Sequence, residues 1–280
     1  MVDSEIVQLI AAAVRSVRES NQLAGSVTNG VTMDFVANAQ LAVGGSAAMV
    51  YLPDEAEFLI EASGAFYINM GTLMPIYEQT IPAATKKAAE LNKPWVLDPV
   101  GIGIGSLRTK LLSDMAGCKP SIIRGNASEI MALADLWGLL DDSSARGNVR
   151  GVDATDSVSS AAEAAVALAR WTRGAVAVSG EEDLVSDGQL IARSYGGSSL
   201  MEKVTGFGCS LGGVMAVYAA SASPFIAALA SVALYNLAGL RAAQKASTPA
   251  SFKAAFIDEL FSAEAEDVAG SQFRIERCDA

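Results

Sequence analysis

Between Lys203 and Gly213 the chain reads KVTGFGCSLGG. This polar, glycine-rich stretch passes directly into an apolar run, Val214 to Ala220, the pattern of a loop feeding a helix N-terminus. Gly206 and Gly208 let the backbone turn and bring N–H groups close to a ligand. The first N–H groups of a helix have no internal partner and the helix dipole favours negative charge there, so such a loop suits a phosphate or a developing anion. Cys209 sits where that field favours thiolate over thiol. The same residues also compose a glycine turn with a half-buried cysteine ahead of a core helix, and the stretch alone leaves both readings open.

Further polar sets fall just after apolar runs. Asp98 begins DPVGIGIGSLR, a glycine-rich loop leading to Arg108. A carboxylate there can order a hydrated metal or accept a proton, or it can cap its own turn. Arg124 to Glu129 reads RGNASE, in which Asn-x-x-Glu is a variant of the helix capping box. A functional reading keeps that cap and adds Glu129 as an outer ligand to Mg²⁺ water, with Arg124 facing phosphate. Ser179-Gly180 can contact a nucleotide. The sequence has no GxxxxGK[ST], and Gly101 to Ser106 is not GxGxxG, which sets aside the P-loop and dinucleotide-binding folds.

The absence of histidine removes Ser-His and Cys-His nucleophile systems and His-ligated metals. A net charge of −11 argues against general affinity for nucleic acid or an anionic membrane surface. Cys118, Cys209 and Cys278 are odd in number and lack metal-type spacing; with no signal peptide, a cytoplasmic location is expected. From Val204 to Leu240 there is no charged residue. Ser221-Ala222-Ser223-Pro224 cuts that run, with Ser223 as cap and Pro224 in the first turn of a second helix. Each piece is then rather short for a bilayer, and two core or interface helices are expected.

The elements that must position these residues alternate. Ser4–Glu19 is an amphipathic helix. After the Asn29-Gly30 turn, Thr32 caps a helix through Leu41, and Ala47–Tyr51 is a short buried strand in which Met49 lies where the strand delivers its carboxyl end to a pocket. Helices over Asp54–Ala62, Met74–Leu91, Ser106–Ala116 and Asn126–Leu136 alternate with strands at Ala65–Met70, Trp95–Asp98 and Ser121–Arg124. Gly138–Gly151 reads as a surface connection, and Ser157–Thr172 as a helix before the strand Ala175–Val178. Asp187-Gly188 marks a hairpin, and Ser251–Phe261 is the last helix. Such alternation predicts an α/β fold: a mostly parallel central sheet, helices on both faces, and ligands beyond the carboxyl ends of the strands. A single domain over 1–280 is expected, with 263–280 a peripheral tail.

The segments VTNGVTMDFVANAQLAVGGSAAM, INMGTL, VLDPVGIGIGSLR, IIRGNASEI, VSGEEDLV, KVTGFGCSLGG and SFKAAFIDELF, in this order, resemble the hydroxyethylthiazole kinases of the ribokinase-like superfamily. The likeness covers about residues 20 to 262. It implies a ribokinase-like three-layer sandwich. It also implies ATP- and Mg²⁺-dependent phosphorylation of the primary alcohol of 4-methyl-5-(2-hydroxyethyl)thiazole for thiamin salvage, and a homotrimer with active sites between subunits. By the resemblance, Met49, Gly206 and Asn29 contact the thiazole. Arg124 and Ser179 bind ATP, and Asp98 and Glu129 attend the metal and phosphates. Cys209 takes the catalytic place, accepting the alcohol proton or only orienting the hydroxyl. Two departures stand out: Gly25 lies where many members have His, which bears on substrate fit, and Phe207 is bulky for its place. Rival readings are another enzyme of the same fold, a nicotinamide-nucleotide dehydratase or a pyrimidine or pyridoxal kinase, and a binding protein without turnover. Cys209 and VTNGVTMDF argue against the first, and the intact set Asp98, Arg124, Asn126, Glu129 and Cys209 against the second.

Overall fold

The computed structural model describes residues 2–140 and 158–278. The chain opens with α1 (Val2–Ser20), β1 (Leu23–Val27), α2 (Met33–Ala42), β2 (Ser46–Met49), α3 (Pro53–Ala62) and β3 (Ala65–Asn69). It continues through α4 (Tyr77–Glu90), β4 (Trp95–Asp98), α5 (Ser106–Asp114), β5 (Ile122–Asn126), α6 (Ala127–Leu136), α7 (Ala162–Thr172) and β6 (Ala175–Ser179). The last part holds β7 (Glu182–Ser186), β8 (Leu190–Tyr195), α8 (Phe207–Ala219), α9 (Pro224–Lys245), α10 (Pro249–Ser262), α11 (Ala265–Ala269) and β9 (Phe273–Arg277).

The strands form one sheet in the order β2-β1-β3-β4-β5-β6-β7-β8-β9, parallel from β2 to β6 and antiparallel beyond. Strand alternation sends Tyr67, Val96, Ile122 and Ala177 to one face, where they pack with α1, α2 and α8 to α11. Phe66, Ile68, Trp95, Leu97 and Ile123 go to the other face, under α3 to α7. The result is the three-layer sandwich. Strand order reverses between β1 and β3, and an open α/β sheet presents its ligand crevice outside the carboxyl ends at such a point.

Several expectations are revised. β1 is a buried strand at LAGSV that apolar periodicity does not reveal: it is built from small residues so that neighbours can approach closely. Thr32 stands at the N-cap of α2 without a side-chain cap bond, its N–H donating instead to Asn29 Oδ1 at 3.2 Å. Ser223 likewise precedes α9 without capping it. α9 runs 22 residues, long and apolar enough by length and composition to cross a bilayer, yet 83% of its most apolar window is buried inside the protein; it is a core helix. The segment from Ala263 is not peripheral. α11 buries Ala265, Val268 and Ala269 and pairs Asp267 with Arg241 at 2.8 Å, while β9 completes the sheet against β8. Most of the expected connection at 138–151 lies outside the described residues.

Gly25 does not widen a pocket. A Cβ there would lie 2.8 Å from the Phe66 ring, so the aromatic already fills the space a side chain would need. Gly25→Ala is therefore expected to overpack this contact and lower stability by about 1–3 kcal/mol, read by denaturant unfolding. The KM for any substrate should stay unchanged.

Candidate active site

The carboxyl ends of β1, β3, β4, β5 and β6 converge on the N-terminus of α8. Gly206 forms the N-cap of this helix in a left-handed conformation (φ 100°), which glycine adopts without strain. α8 follows as predicted, with Val214 to Ala219 in the core. The chain therefore arrives at the sheet with its first helical N–H groups facing the strand ends, an arrangement suited to an anion.

Asp98, at the tip of β4, is fully buried. Its Oδ2 accepts from Tyr67 Oη at 3.0 Å, Asn69 Nδ2 at 3.1 Å and Arg124 Nη1 at 3.5 Å. Its Oδ1 is buried with no partner. Burial pushes its pKa up to about 6, against the pull of Arg124 and with the help of Glu129. The Arg124 guanidinium bridges to the next strand, where Nε donates to Ser179 Oγ at 3.3 Å. It also crosses directly over α8: a Cβ on Gly208 would lie 2.6 Å from Arg124 Cζ. Hence Gly208 is the residue that admits Arg124 to the anion loop.

On the other side of Asp98, Asn69 Oδ1 accepts from Asn29 Nδ2 at 2.9 Å and from Gly71 N at 2.9 Å. Asn29 Nδ2 also points at Cys209 Sγ, 3.5 Å away. The Asn29–Asn69 bond spans the β1/β3 reversal. Met49 ends β2, half-buried, in register with Ser26 of β1. One hydrogen-bonded line thus joins Asn29, Asn69, Asp98, Arg124 and Ser179, with Cys209 beside its first member.

Glu129 closes the predicted capping box. Asn126 Oδ1 accepts from Glu129 N at 2.9 Å and Glu129 Oε2 from Asn126 N at 2.9 Å. Its other oxygen accepts from Gly101 N at 3.3 Å, fastening the DPVG loop to the start of α6. The structural reading of this motif is therefore realised, and each carboxylate oxygen keeps a lone pair for water.

The expected thiolate is corrected. The Cys209 thiol is pushed up, not down: burial is the largest cause, the Asp98 charge adds to it, and Arg124 offsets only part. Helix-dipole reasoning omitted both the desolvation and the nearby carboxylate.

Beyond Arg124 and Ser179 lies a cavity of about 960 Å³ between the β6–β7 turn and α9, also lined by Asn126, Gly180, Gly197 and Asn236. At its wall, Asp183 accepts from Gly180 N and from Asn236 Nδ2, both at 3.0 Å, and burial raises its pKa to about 6. Sequence reasoning passed over Tyr67, Asn69, Asp183 and Asn236. For the first two a signal existed: two polar side chains at period two in an otherwise apolar strand share one face.

Among the described residues no group of three or more Cys, Asp and Glu side chains is arranged to hold a metal. The orphaned Asp98 oxygen nevertheless fits Mg²⁺, which binds through one or two carboxylates plus phosphate and water.

The sheet order and the two helical layers define a ribokinase-like fold. A ribokinase-like superfamily protein from Enterococcus faecalis superposes with a TM-score of 0.59 at 12% identity, covering 86% of this chain and 88% of that one. The hydroxyethylthiazole kinase from Pyrococcus horikoshii OT3 superposes with a TM-score of 0.84 at 31% identity, covering 97% of this chain and all of that one. Residues 14–266 match the hydroxyethylthiazole kinase family. A hydroxyethylthiazole kinase of Bifidobacterium longum subsp. infantis is 47% identical over 98% of this chain and 93% of its own length. The chain belongs to the hydroxyethylthiazole kinase family.

Proposed function

We propose that the protein transfers the γ-phosphoryl group of ATP to the primary alcohol of 4-methyl-5-(2-hydroxyethyl)thiazole, giving the thiazole phosphate used in thiamin diphosphate synthesis. The observation that carries this reading is the line from Asn29 through Asp98 to Ser179: it leads from Cys209 to a nucleotide-sized cavity past the N-terminus of α8. The thiazole lies against Asn29, Met49 and Gly206, and ATP lies in the cavity against Arg124 and Ser179.

Phosphoryl transfer asks for positioning and charge neutralisation more than covalent chemistry. The alcohol oxygen forms a bond to the γ-phosphorus as the bond to the ADP oxygen breaks. The N–H groups of Gly206 to Cys209 face the transferring group, and Arg124 supplies fixed positive charge. Asp98 would hold Mg²⁺ through its free oxygen and Glu129 would reach it through water; the ion, when bound, offsets triphosphate charge. With a protonated thiol, Cys209 orients the alcohol. In a loose transition state the alcohol releases its proton late, so orientation matters more than early deprotonation.

An assembly with sites between subunits, a homotrimer, is part of this reading. It is supported by Val31 and Leu52, 64% and 47% exposed, which follow Asn29 and Met49 closely in the chain and leave an apolar rim beside the alcohol side. A cytoplasmic location is supported by three free cysteines.

The test is product mass after incubation with Mg-ATP and the thiazole alcohol, with pyridoxal and hydroxymethylpyrimidine alongside. Thiazole phosphate is expected; product from another alcohol only, or none, moves the function elsewhere on the fold. In the same assay Cys209→Ala should lower kcat by about 10²-fold, because the alcohol loses its orienting partner. Cys209→Ser, which keeps a donor and acceptor in place, should stay within about tenfold of wild type. A serine variant as poor as alanine would instead make the sulfur a base.

A further inference from the structure

Tyr67 lies in β3, fully buried, and is not among the residues lining the cavity. A core tyrosine usually finds one partner for its hydroxyl. This one has three. It accepts from Asn69 Nδ2 at 2.8 Å, and its single proton faces both Asp98 Oδ2 at 3.0 Å and the backbone oxygen of Cys209 at 2.8 Å. The phenol therefore stands between the carboxylate at the tip of β4 and the first turn of α8.

The helix is shaped to receive it. A Cβ on Gly212 would lie 2.6 Å from Tyr67 Cε2, as one on Gly208 would meet Arg124. These glycines are four residues apart and share one helix face. That face is recessed twice, once for Arg124 and once for Tyr67, two of the side chains that reach Asp98. Arg124 fixes the carboxylate to α8 by charge, and Tyr67 fixes it through the helix backbone itself.

We propose that Tyr67 is a positioning residue for phosphoryl transfer: it locks the N-terminal turn of α8 to Asp98, so that the anion-facing N–H groups and the carboxylate keep one spacing. The proposal rests on the kinase reading for its kinetic consequence and on the geometry alone for its structural one. Tyr67 is fully buried and does not line the cavity, so its loss should leave binding little changed. The relative placement of donors and carboxylate matters most where charge is developing, and small misplacements there are costly.

The test is Tyr67→Phe, which keeps the ring against Gly212 and removes only the hydroxyl. Steady-state kinetics with Mg-ATP and the thiazole alcohol should show kcat down by about tenfold or more, with both KM values within about threefold of wild type. Hydrogen exchange should speed up at the amides of Gly208 to Ser210 and stay unchanged in β3 and β4. Wild-type kcat with unchanged exchange overturns the proposal. So does a loss confined to KM, or exchange raised throughout the sheet, since either gives the hydroxyl a general core role. If the wild-type protein makes no thiazole phosphate, the substrate reading fails by itself, and the exchange measurement still decides for or against the lock.

Discussion

Asp98→Asn is expected to lower kcat by about 10²- to 10³-fold while leaving the fold intact. The asparagine carbonyl can still accept from Tyr67, Asn69 and Arg124, the three donors that meet Oδ2. What disappears is the charge, together with the unpartnered oxygen beside it. Asp98→Ala is a poorer probe, because stripping one partner from a buried ion pair costs about 3–5 kcal/mol and confuses activity with stability. The pH dependence supplies an independent check. Burial, opposed by Arg124, sets the Asp98 pKa at about 6, so kcat/KM for ATP should fall as pH drops below that value and the carboxylate protonates. The asparagine variant should lack this limb. For stability the sign is reversed. A carboxyl whose pKa rises from 3.8 to about 6 on folding stabilises the protonated native state, and that contribution is lost as pH climbs through the interval. Between those limits, wild-type stability should decline with rising pH relative to Asp98→Asn in a denaturant series.

The second large effect is expected from Gly208→Ala. The added methyl would occupy the place of the Arg124 guanidinium, whose Cζ lies 2.6 Å from it. The guanidinium is the free end of a long side chain and can swing aside, but this leaves the buried Asp98 without its ion-pair partner, so stability should fall by about 3–5 kcal/mol. Activity, assayed on protein that is still folded, should fall as well. Displaced, Arg124 leaves Asp98 and Ser179 and can no longer lie along the anion loop. A loss of about 10²-fold in kcat/KM for ATP is expected, the cost of misplacing a charged clamp. If this account holds, adding Arg124→Ala to Gly208→Ala should cost little more, since both changes remove one interaction. Additive losses would show that Gly208 matters for another reason, such as close approach of its own N–H to phosphate.

The parts of this architecture that were legible in the sequence are those where one physical signal dominates. WVLD is a strand with the predicted bounds because its residues are apolar up to a terminal carboxylate. The Asn126–Glu129 capping box forms as its spacing requires. Asp187-Gly188 turns the β7–β8 hairpin. Asn29, Cys209, Asp98, Arg124 and Ser179 meet because each lies in or just past the carboxyl-terminal part of a parallel strand or opens α8, and those ends lie side by side. What failed depended on neighbours far away in the chain. LAGSV is a strand through its pairing with β2 and β3, and its small residues, such as Gly25 against the Phe66 ring, leave no apolar pattern to read. FRIER has no strong apolar pattern, and its pairing is set by the open edge of β8. The charge state of Cys209 was misjudged because a local dipole was weighed without the burial and the carboxylate that the fold brings to it. The period-two polar pair in AFYIN marks Tyr67 and Asn69 as sharing one face, but what they contact depends on which helix lies above their strand.

The raised thiol of Cys209 also governs how the site meets oxidants. Peroxide and alkylating agents attack thiolate, and a cysteine held protonated by burial and a neighbouring carboxylate offers little of it. On the proposed reading, a sulfur atom can therefore sit beside the acceptor alcohol without becoming a point of oxidative inactivation, and reagents that mark reactive cysteines should label it poorly.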